Sequence, residues 1–150
     1  MPAMPNTSPR VLMSNLLRLV YVSRPTRPVD EAFMEELLSQ ARTSNQLLGI
    51  TGVLCSGRGY FVQVLEGQEG TLLTLYARIL ADTRHEQASL LSIGLAAKRA
   101  FSQWSMAYID GEALSPEIHT RLVSKALVDS DMSEQARLLQ TALTTLRRAA

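Results

Sequence analysis

The chain has a single cysteine, Cys55, and only two lysines, Lys98 and Lys125, among its 150 residues. One cysteine excludes an internal disulfide and is typical of a protein from a reducing compartment. No apolar run approaches the roughly 20 residues that a membrane-spanning helix needs. The first ten residues, MPAMPNTSPR, lack the apolar core of a signal peptide. We therefore expect a cytoplasmic protein that does not enter a membrane.

Charge is also scarce, and the formal net charge is only +1. Bulk electrostatics therefore favours neither nucleic acid nor an anionic membrane as a partner. The histidines, His85 and His119, are far apart and no Cys/His cluster accompanies them, so the sequence predicts no metal site. A nucleophile elbow, a Walker loop and a dinucleotide glycine fingerprint are missing as well.

What the chain does have is enough apolar sequence for one globular domain, since 46% of its residues are hydrophobic and 19% are charged. Residues 1–14 are rich in Pro, Asn and Ser, and we expect them to be flexible. The run LLRLVYVS predicts a strand that is buried on both faces. Asp30 is a suitable N-cap for a helix that ends near Asn45, and its apolar stripe consists of Phe33, Met34, Leu37, Leu38 and Ala41.

The pattern continues with a hairpin, because ITGVLCS and YFVQVLEG flank a Gly-Arg-Gly turn at 57–59. A second helix over about 68–83 follows, then a strand in SLLSIGLAA and a short one in WSMAYI. This βαββαβ order plus one strand predicts an α+β sandwich of one sheet with two helices on one face. Two amphipathic helices, over about 115–127 and 133–148, are expected to cover the open sheet face.

Two amides stand out because their neighbours are mostly apolar. Gln63 lies mid-strand between Phe61 and Leu65 on one strand face, and Asn45 closes the first helical pattern. A buried amide without hydrogen-bond partners costs about 1–3 kcal/mol, so the pair suggests a polar, planar ligand in an apolar slot. Gln63 is equally consistent with a satisfied core amide, and Asn45 with a left-handed helix terminus.

Tyr21 on the first strand is a natural partner for Gln63, because strands one and three are neighbours in a βαββαβ sheet. A glutamine both donates and accepts, as a relay between a phenol and a ligand heteroatom requires. The alternative is an ordinary core tyrosine whose hydroxyl meets a carbonyl.

Polar and aromatic residues later in the chain follow helical or strand spacing. Arg78, Asp82 and His85 fall at i, i+4 and i+7, which predicts one side of the second helix, and a solvated row of charges is the alternative. Trp104 and Met106 alternate on the predicted last strand, so we expect them on one side of it. Residues of these two types are most often core or interface residues.

Together these residues resemble the BLUF family of blue-light sensors that bind FAD, in its short, stand-alone type. The resemblance covers the chain from Leu17 to about Asp110. It implies a ferredoxin-like βαββαββ sandwich, with a flavin-binding domain over residues 15–111 and a C-terminal helical extension over residues 112–150. Its motifs are LVYVS with Tyr21, ARTSNQLLGITGVL with Asn45, FVQVLEG with Gln63, RILADTRH with Arg78, Asp82 and His85, and RAFSQWSM with Trp104 and Met106.

The resemblance also implies a role for each site residue. The isoalloxazine ring is expected between the two helices, with Leu37 and Ile79 on its faces. Asn45 is expected to bond its pyrimidine edge and Gln63 its N5/O4 edge. The rim toward the ribityl chain is expected to consist of Arg78, Asp82 and His85.

Two positions depart from the family pattern. Ser44 stands where members often carry His or Asn, and Ala41 stands where a hydroxyl is common. Both changes can weaken or re-route a polar contact to the flavin. Family habit predicts FAD rather than FMN.

The function implied is that of a photoreceptor and not of an enzyme. Light-driven electron and proton transfer from Tyr21 is expected to rearrange the hydrogen bonds of Gln63. Trp104 and Met106 are expected to pass the change to the C-terminal helices, which act on an unknown downstream protein or within a homo-oligomer. The alternatives are a ferredoxin-like flavin-dependent redox enzyme and a structural module that has lost its cofactor.

Overall fold

The computed structural model describes residues 15–123 and 133–149, with side chains as far as residue 144. The prediction for residues 1–14 lies outside this part of the chain. The strands are β1 (Leu16–Pro25), β2 (Thr51–Gly57), β3 (Tyr60–Gln68), β4 (His85–Leu95) and β5 (Ala107–Asp110). The helices are α1 (Glu31–Leu48), α2 (Glu69–Leu80), α3 (Pro116–Val123) and α4 (Glu134–Ala149).

One five-stranded sheet carries the fold, with its strands in the order β4-β1-β3-β2-β5. The first four strands pair antiparallel with their neighbours, which is the ferredoxin-like arrangement, and β5 adds parallel to β2. The predicted α+β sandwich is therefore confirmed. The predicted adjacency of strands one and three is confirmed as well, because β1 pairs with β3 over most of its length.

Alternation along the strands builds a separate core on each face of the sheet. Leu19 and Tyr21 of β1 point to the face that α1 and α2 cover, together with Leu38 and Leu72. Val20 and Val22 point to the opposite face. That face is covered by α3 and α4, which contribute Leu122, Ala136, Leu139 and Leu143 to its core. The expectation that two C-terminal helices cover the open sheet face is confirmed.

The first helix is longer than predicted. Asp30 caps it as expected, since its carboxylate accepts a hydrogen bond of 2.8 Å from the Phe33 backbone N–H. The helix runs past Asn45 to Leu48 and ends at Gly49, whose φ of 67° lies in the left-handed region that favours glycine. Asn45 is therefore a residue of the last helical turn, and the alternative of a left-handed terminus at Asn45 is wrong.

Two other boundaries also differ from the prediction. The second helix ends at Leu80, so Asp82 lies in the following turn and His85 is the first residue of β4. The last strand begins only at Ala107, which leaves Trp104 and Met106 in the segment before it. The hairpin turn at 57–59 is confirmed, and positions 58 and 59 both have positive φ, as the tightest hairpin turns require. Residues 124–127 of the predicted third helix lie outside the described residues.

A buried ion pair joins the sheet to the segment between β4 and β5. Glu66 of β3 is fully buried, and its carboxylate accepts a hydrogen bond of 2.8 Å from the Arg18 guanidinium of β1. The same carboxylate accepts from the backbone N–H groups of Ala100 and Phe101, at 2.7 and 2.8 Å, and from the Thr51 hydroxyl at 3.2 Å. A buried carboxylate is stable only when it is paired in this way.

We predict that Glu66→Ala lowers the free energy of unfolding by about 3–5 kcal/mol, because it leaves the buried Arg18 guanidinium without its counter-charge. Urea unfolding followed by circular dichroism measures the change. Glu36→Ala, which removes an exposed carboxylate bonded to Gln40, is the control and should stay within about 0.5 kcal/mol of the wild type. Equal effects of the two substitutions would contradict this role for Glu66.

Candidate functional site

A cavity of about 240 Å³ lies between α1 and α2, on the face of the sheet that these helices cover. Helix α1 lines it with Leu37 and Asn45, and α2 lines it with Arg78 and Ile79. Asp82 and His85 lie at the rim that follows α2. All of the residues predicted to bind the cofactor thus line one cavity, together with Tyr21: Leu37, Asn45, Gln63, Arg78, Ile79, Asp82 and His85.

Tyr21 and Gln63 meet at the floor of this cavity. They are directly opposed in the β1–β3 register, so their side chains leave the sheet on the same face. The Tyr21 hydroxyl donates a hydrogen bond to the Gln63 amide oxygen, and both side chains are buried. Of the two interpretations of Tyr21, the one that pairs it with Gln63 matches this geometry.

Burial controls the protonation of Tyr21. Removal from water raises the pKa of its phenol far above the usual range, and the nearby Tyr76 and Asp82 raise it further. The phenol is therefore neutral at any physiological pH and is a hydrogen-bond donor to Gln63. The ring centroid of Tyr76 lies 5.5 Å from that of Tyr21.

The Gln63 amide also has a partner on its nitrogen side. Its Nε2 donates to the thioether sulfur of Met106 across 3.5 Å, which completes a chain from phenol through amide to thioether. Met106 is buried in the same core as Tyr21. Trp104 instead packs against the core on the opposite face of the sheet, beside the C-terminal helices.

The expectation that Trp104 and Met106 share one side of the last strand is therefore wrong. Strand alternation does not apply to them, because both precede β5. Ser105 lies between Trp104 and Met106. Its carbonyl accepts a hydrogen bond of 2.6 Å from the Asn45 amide, which is only 3% exposed. This contact draws the Ser105–Met106 end of the segment toward α1, while Trp104 remains on the other face.

The rim of the cavity carries a charge pair that the sequence did not reveal. The Arg84 guanidinium donates to both carboxylate oxygens of Asp82, with its shortest contact at 2.6 Å, and reaches across to the Gln40 side-chain oxygen of α1 at 2.9 Å. Hydrogen bonds from Arg84 lower the pKa of the Asp82 carboxyl, so it stays ionised. Arg84 does not follow the helical spacing of Arg78, Asp82 and His85. Its position two residues after Asp82 was the sequence feature that could have indicated the pair.

His85 is held at both ring nitrogens. Its Nε2 lies 2.5 Å from the Ile79 carbonyl and its Nδ1 lies 2.8 Å from the Ser23 hydroxyl. These contacts tie the start of β4 to the end of α2 and to β1. We predicted that Arg78, Asp82 and His85 lie on one side of the second helix. This is wrong for Asp82 and His85, which follow the helix. All three residues nevertheless line the cavity.

The two departures from the family pattern, Ala41 and Ser44, both line the cavity from α1.

Within the described ranges, no group of three or more His, Cys, Asp or Glu residues is placed to hold a metal ion. In the same part of the chain, no helix has the length and apolar character needed to cross a membrane.

Comparison with known proteins places these features in one family. A family model described as "BLUF: Sensors of blue-light using FAD" matches residues 16–107. The photoactivated adenylate cyclase subunit beta of Euglena longa is 34% identical over 123 residues, and that of Euglena gracilis is 33% identical over 123 residues. Each match covers 79% of this chain, which spans only 14% of the length of those relatives.

Solved structures agree with the family match. BlrB, a BLUF protein in its dark state, superposes with a TM-score of 0.73 at 27% identity, over 89% of this chain and 98% of that one. BlrP1 of Klebsiella pneumoniae, solved with FMN and cyclic diGMP, gives a TM-score of 0.64 at 29% identity, over 89% of this chain and 36% of that one. The chain, with its Tyr21–Gln63 pair beneath a cavity between two helices, belongs to the BLUF family of flavin-binding blue-light photoreceptors.

Proposed function

We propose that this chain senses blue light through a relay from Tyr21 to Gln63 at the floor of the cavity. The observation that supports it best is the buried hydrogen bond from the phenol to the amide oxygen, continued from the amide nitrogen to the Met106 sulfur. A glutamine in this position can accept a proton on one side and exchange hydrogen-bond partners on the other. A purely structural amide does not need an oxidisable neighbour.

The side chains around the cavity fit a flavin ring. Leu37 and Ile79 offer apolar walls on opposite helices, while Asn45 and Gln63 supply amides for a polar ring edge. The cavity of about 240 Å³ is smaller than the roughly 300–1,000 Å³ of pockets that enclose a whole drug-sized ligand. We therefore place the ring inside it and the remaining chain of the cofactor beyond the rim of Arg78, Asp82 and His85.

We propose FAD as the cofactor, in keeping with the description of the family. FMN is the competing choice, since a BlrP1 structure is described with it. Both share the isoalloxazine ring, so the cavity residues do not distinguish them. Chromatography of the flavin released from the purified protein does.

The residues of the chain supply the proton chemistry. When bound, the flavin absorbs blue light and acts in its excited state as a strong one-electron oxidant. Tyr21 would give one electron to the excited flavin and its proton to the Gln63 amide oxygen along the existing hydrogen bond. Both would return to Tyr21 on recombination, so that Tyr21 and the flavin regain their original redox states and Gln63 alone keeps exchanged hydrogen-bond partners. That changed contact of Gln63 would shift the flavin absorption slightly to the red.

We propose that the structural change at Gln63 reaches the C-terminal helices through the segment before β5. Met106 contacts Gln63 on the cavity face, and Trp104 packs in the core that α3 and α4 complete on the other face. A rearrangement of this segment can therefore alter how the helical extension, residues 112–150, packs on the flavin-binding domain, residues 15–111. A hydrogen-bond change of about 1 kcal/mol is enough to bias a two-state element of this kind.

The chain itself is proposed to be a sensor without enzymatic activity, which acts in the cytoplasm on a separate protein or within a homo-oligomer. Ile93 and Leu95, which are 47% and 56% exposed on the edge strand β4, support self-association. The alternative of a flavin-dependent redox enzyme needs a substrate cavity and a catalytic acid–base group. No observation among the described residues favours it.

The visible spectrum of the purified protein tests the relay. We expect flavin bands and a small red shift after blue light that reverses in the dark. Tyr21→Phe and Gln63→Leu should abolish the shift, because each breaks the relay. Tyr76→Phe removes a neighbouring phenol outside the relay and should retain the shift. A colourless protein, or a normal shift in Tyr21→Phe, would contradict the proposal.

The light response should be independent of pH near neutrality. Because burial raises the pKa of the Tyr21 phenol, the neutral form that the relay needs persists above the usual tyrosine value of about 10. Because the pKa of Asp82 is lowered, the rim pair stays intact until the pH falls below the usual aspartate value of about 4. The amplitude of the red shift should therefore be constant from about pH 6 to about pH 9. A titration step in this window would show that a different group controls the response.

The proposed output predicts a light-dependent change in the helical extension. Hydrogen–deuterium exchange of the peptides that cover α3 and α4 should differ between darkness and continuous blue light. Met106→Leu should reduce the difference, because it removes the sulfur acceptor of Gln63. Identical exchange in darkness and light would rule out this output route.

A further inference from the structure

The segment over residues 96–106 crosses one end of the sheet, from the edge strand β4 to the edge strand β5. We call it the crossover segment. On the side of the C-terminal helices, Glu66 holds it by two backbone hydrogen bonds. At the edge of the sheet, the Gly52 backbone N–H donates to the Trp104 carbonyl at 3.1 Å. The crossover segment is thus fastened to β3 and β2 before it reaches the cavity.

Helix α1 fastens the other end. The Arg42 Nε donates to the Met106 carbonyl at 3.0 Å, and the Asn45 Nδ2 donates to the Ser105 carbonyl at 2.6 Å. Residues three apart in a helix lie on neighbouring positions of one side, so the two donors act on consecutive peptide groups. Both acceptors are backbone carbonyls, so these two hydrogen bonds restrain the backbone of Ser105 and Met106.

The Met106 backbone is therefore held from α1 while its side chain contacts Gln63. The carbonyl that Arg42 binds and the sulfur that Gln63 Nε2 approaches at 3.5 Å belong to the same residue. A shift of that backbone moves the sulfur relative to the amide. Hydrogen bonds to sulfur are weak and depend on such placement.

Of the two α1 donors, Asn45 lines the flavin cavity and Arg42 does not. Its side chain borders an outer groove instead, together with Ser39 and Tyr108. A substitution there leaves the cavity wall formed by Leu37, Asn45 and their neighbours unchanged. The contact through which such a substitution reaches the crossover segment is the hydrogen bond to the Met106 carbonyl.

We propose that Arg42 is a positioning residue of the photocycle, whose hydrogen bond to the Met106 carbonyl holds the thioether against Gln63 and so sets the rate at which the lit state returns to the dark state. This inference rests on the proposed function, since it presumes that Gln63 rearranges in light. In the dark arrangement the amide nitrogen faces the sulfur. When Met106 is held less firmly, its sulfur stabilises the dark arrangement of Gln63 less well. The return of Gln63 to that arrangement therefore becomes slower.

Arg42→Met and Arg42→Gln form the test pair. Both remove the positive charge, but glutamine keeps a donor at the position of the arginine Nε, whereas methionine places an apolar methyl group there. Dark recovery in Arg42→Met should be about two- to fivefold slower than in the wild type, as expected when the weak hydrogen bond from Gln63 to the Met106 sulfur is loosened. Arg42→Gln should restore a rate close to that of the wild type, and the dark-state spectrum should be unchanged in both.

Arg27→Met is the matched control. Arg27 borders the same outer groove, and its guanidinium lies 5.7 Å from the centre of the Phe33 ring. Its recovery rate should equal that of the wild type. Equal rates in Arg42→Met and the wild type, or equal slowing in Arg42→Met and Arg42→Gln, would overturn the proposal. A wild-type protein without any light-induced shift would instead show that the proposed function itself is wrong.

A double substitution distinguishes positioning from a general structural effect. If Arg42 acts through Met106, then Arg42→Met should cause no further slowing in a Met106→Leu protein, because the contact it controls is already lost. Additive effects of the two substitutions would show that Arg42 influences recovery by another route. Recovery is followed as the decay of the red-shifted absorbance after a light pulse.

Discussion

The structure depends on one requirement: the amide of Gln63, buried on the sheet beneath α1 and α2, must find partners for both its oxygen and its nitrogen. The Tyr21 phenol meets the oxygen and the Met106 thioether meets the nitrogen. Among the described residues, no buried side-chain nitrogen or oxygen lacks a hydrogen-bond partner. These side chains therefore form a satisfied network, and a change at one member alters the hydrogen bonds of the next.

The crossover segment links the two faces of the sheet. Its Phe101 and Trp104 belong to the core beneath α3 and α4, and its Met106 belongs to the core beneath α1 and α2. Glu66 and Arg42 fasten it from opposite faces, each through backbone groups. An event at the cavity therefore has a short physical route to the C-terminal helices that goes round the end of the sheet rather than through it.

Much of the site could be predicted because it rests on regular elements. Alternation along the first and third strands, together with a βαββαβ order, was enough to bring Tyr21 opposite Gln63. The roles of Trp104 and Met106 could not be assigned in the same way, because periodicity predicts a face only inside a strand. The buried position of Glu66 could not be predicted either. Its carboxylate is stabilised by Arg18, which is 48 positions away in the sequence.

The sequence by itself determined the order of the elements, the hairpin, the α+β class and the family motifs, because these follow from local periodicity, turn residues and spacing. Only the tertiary structure decided that Met106 rather than Trp104 contacts Gln63, and that Arg84 joins Asp82 at the rim. The physical reason is that irregular segments take their positions from hydrogen bonds to distant residues. For Met106 those bonds come from Arg42 and from the neighbouring contact of Asn45 with Ser105.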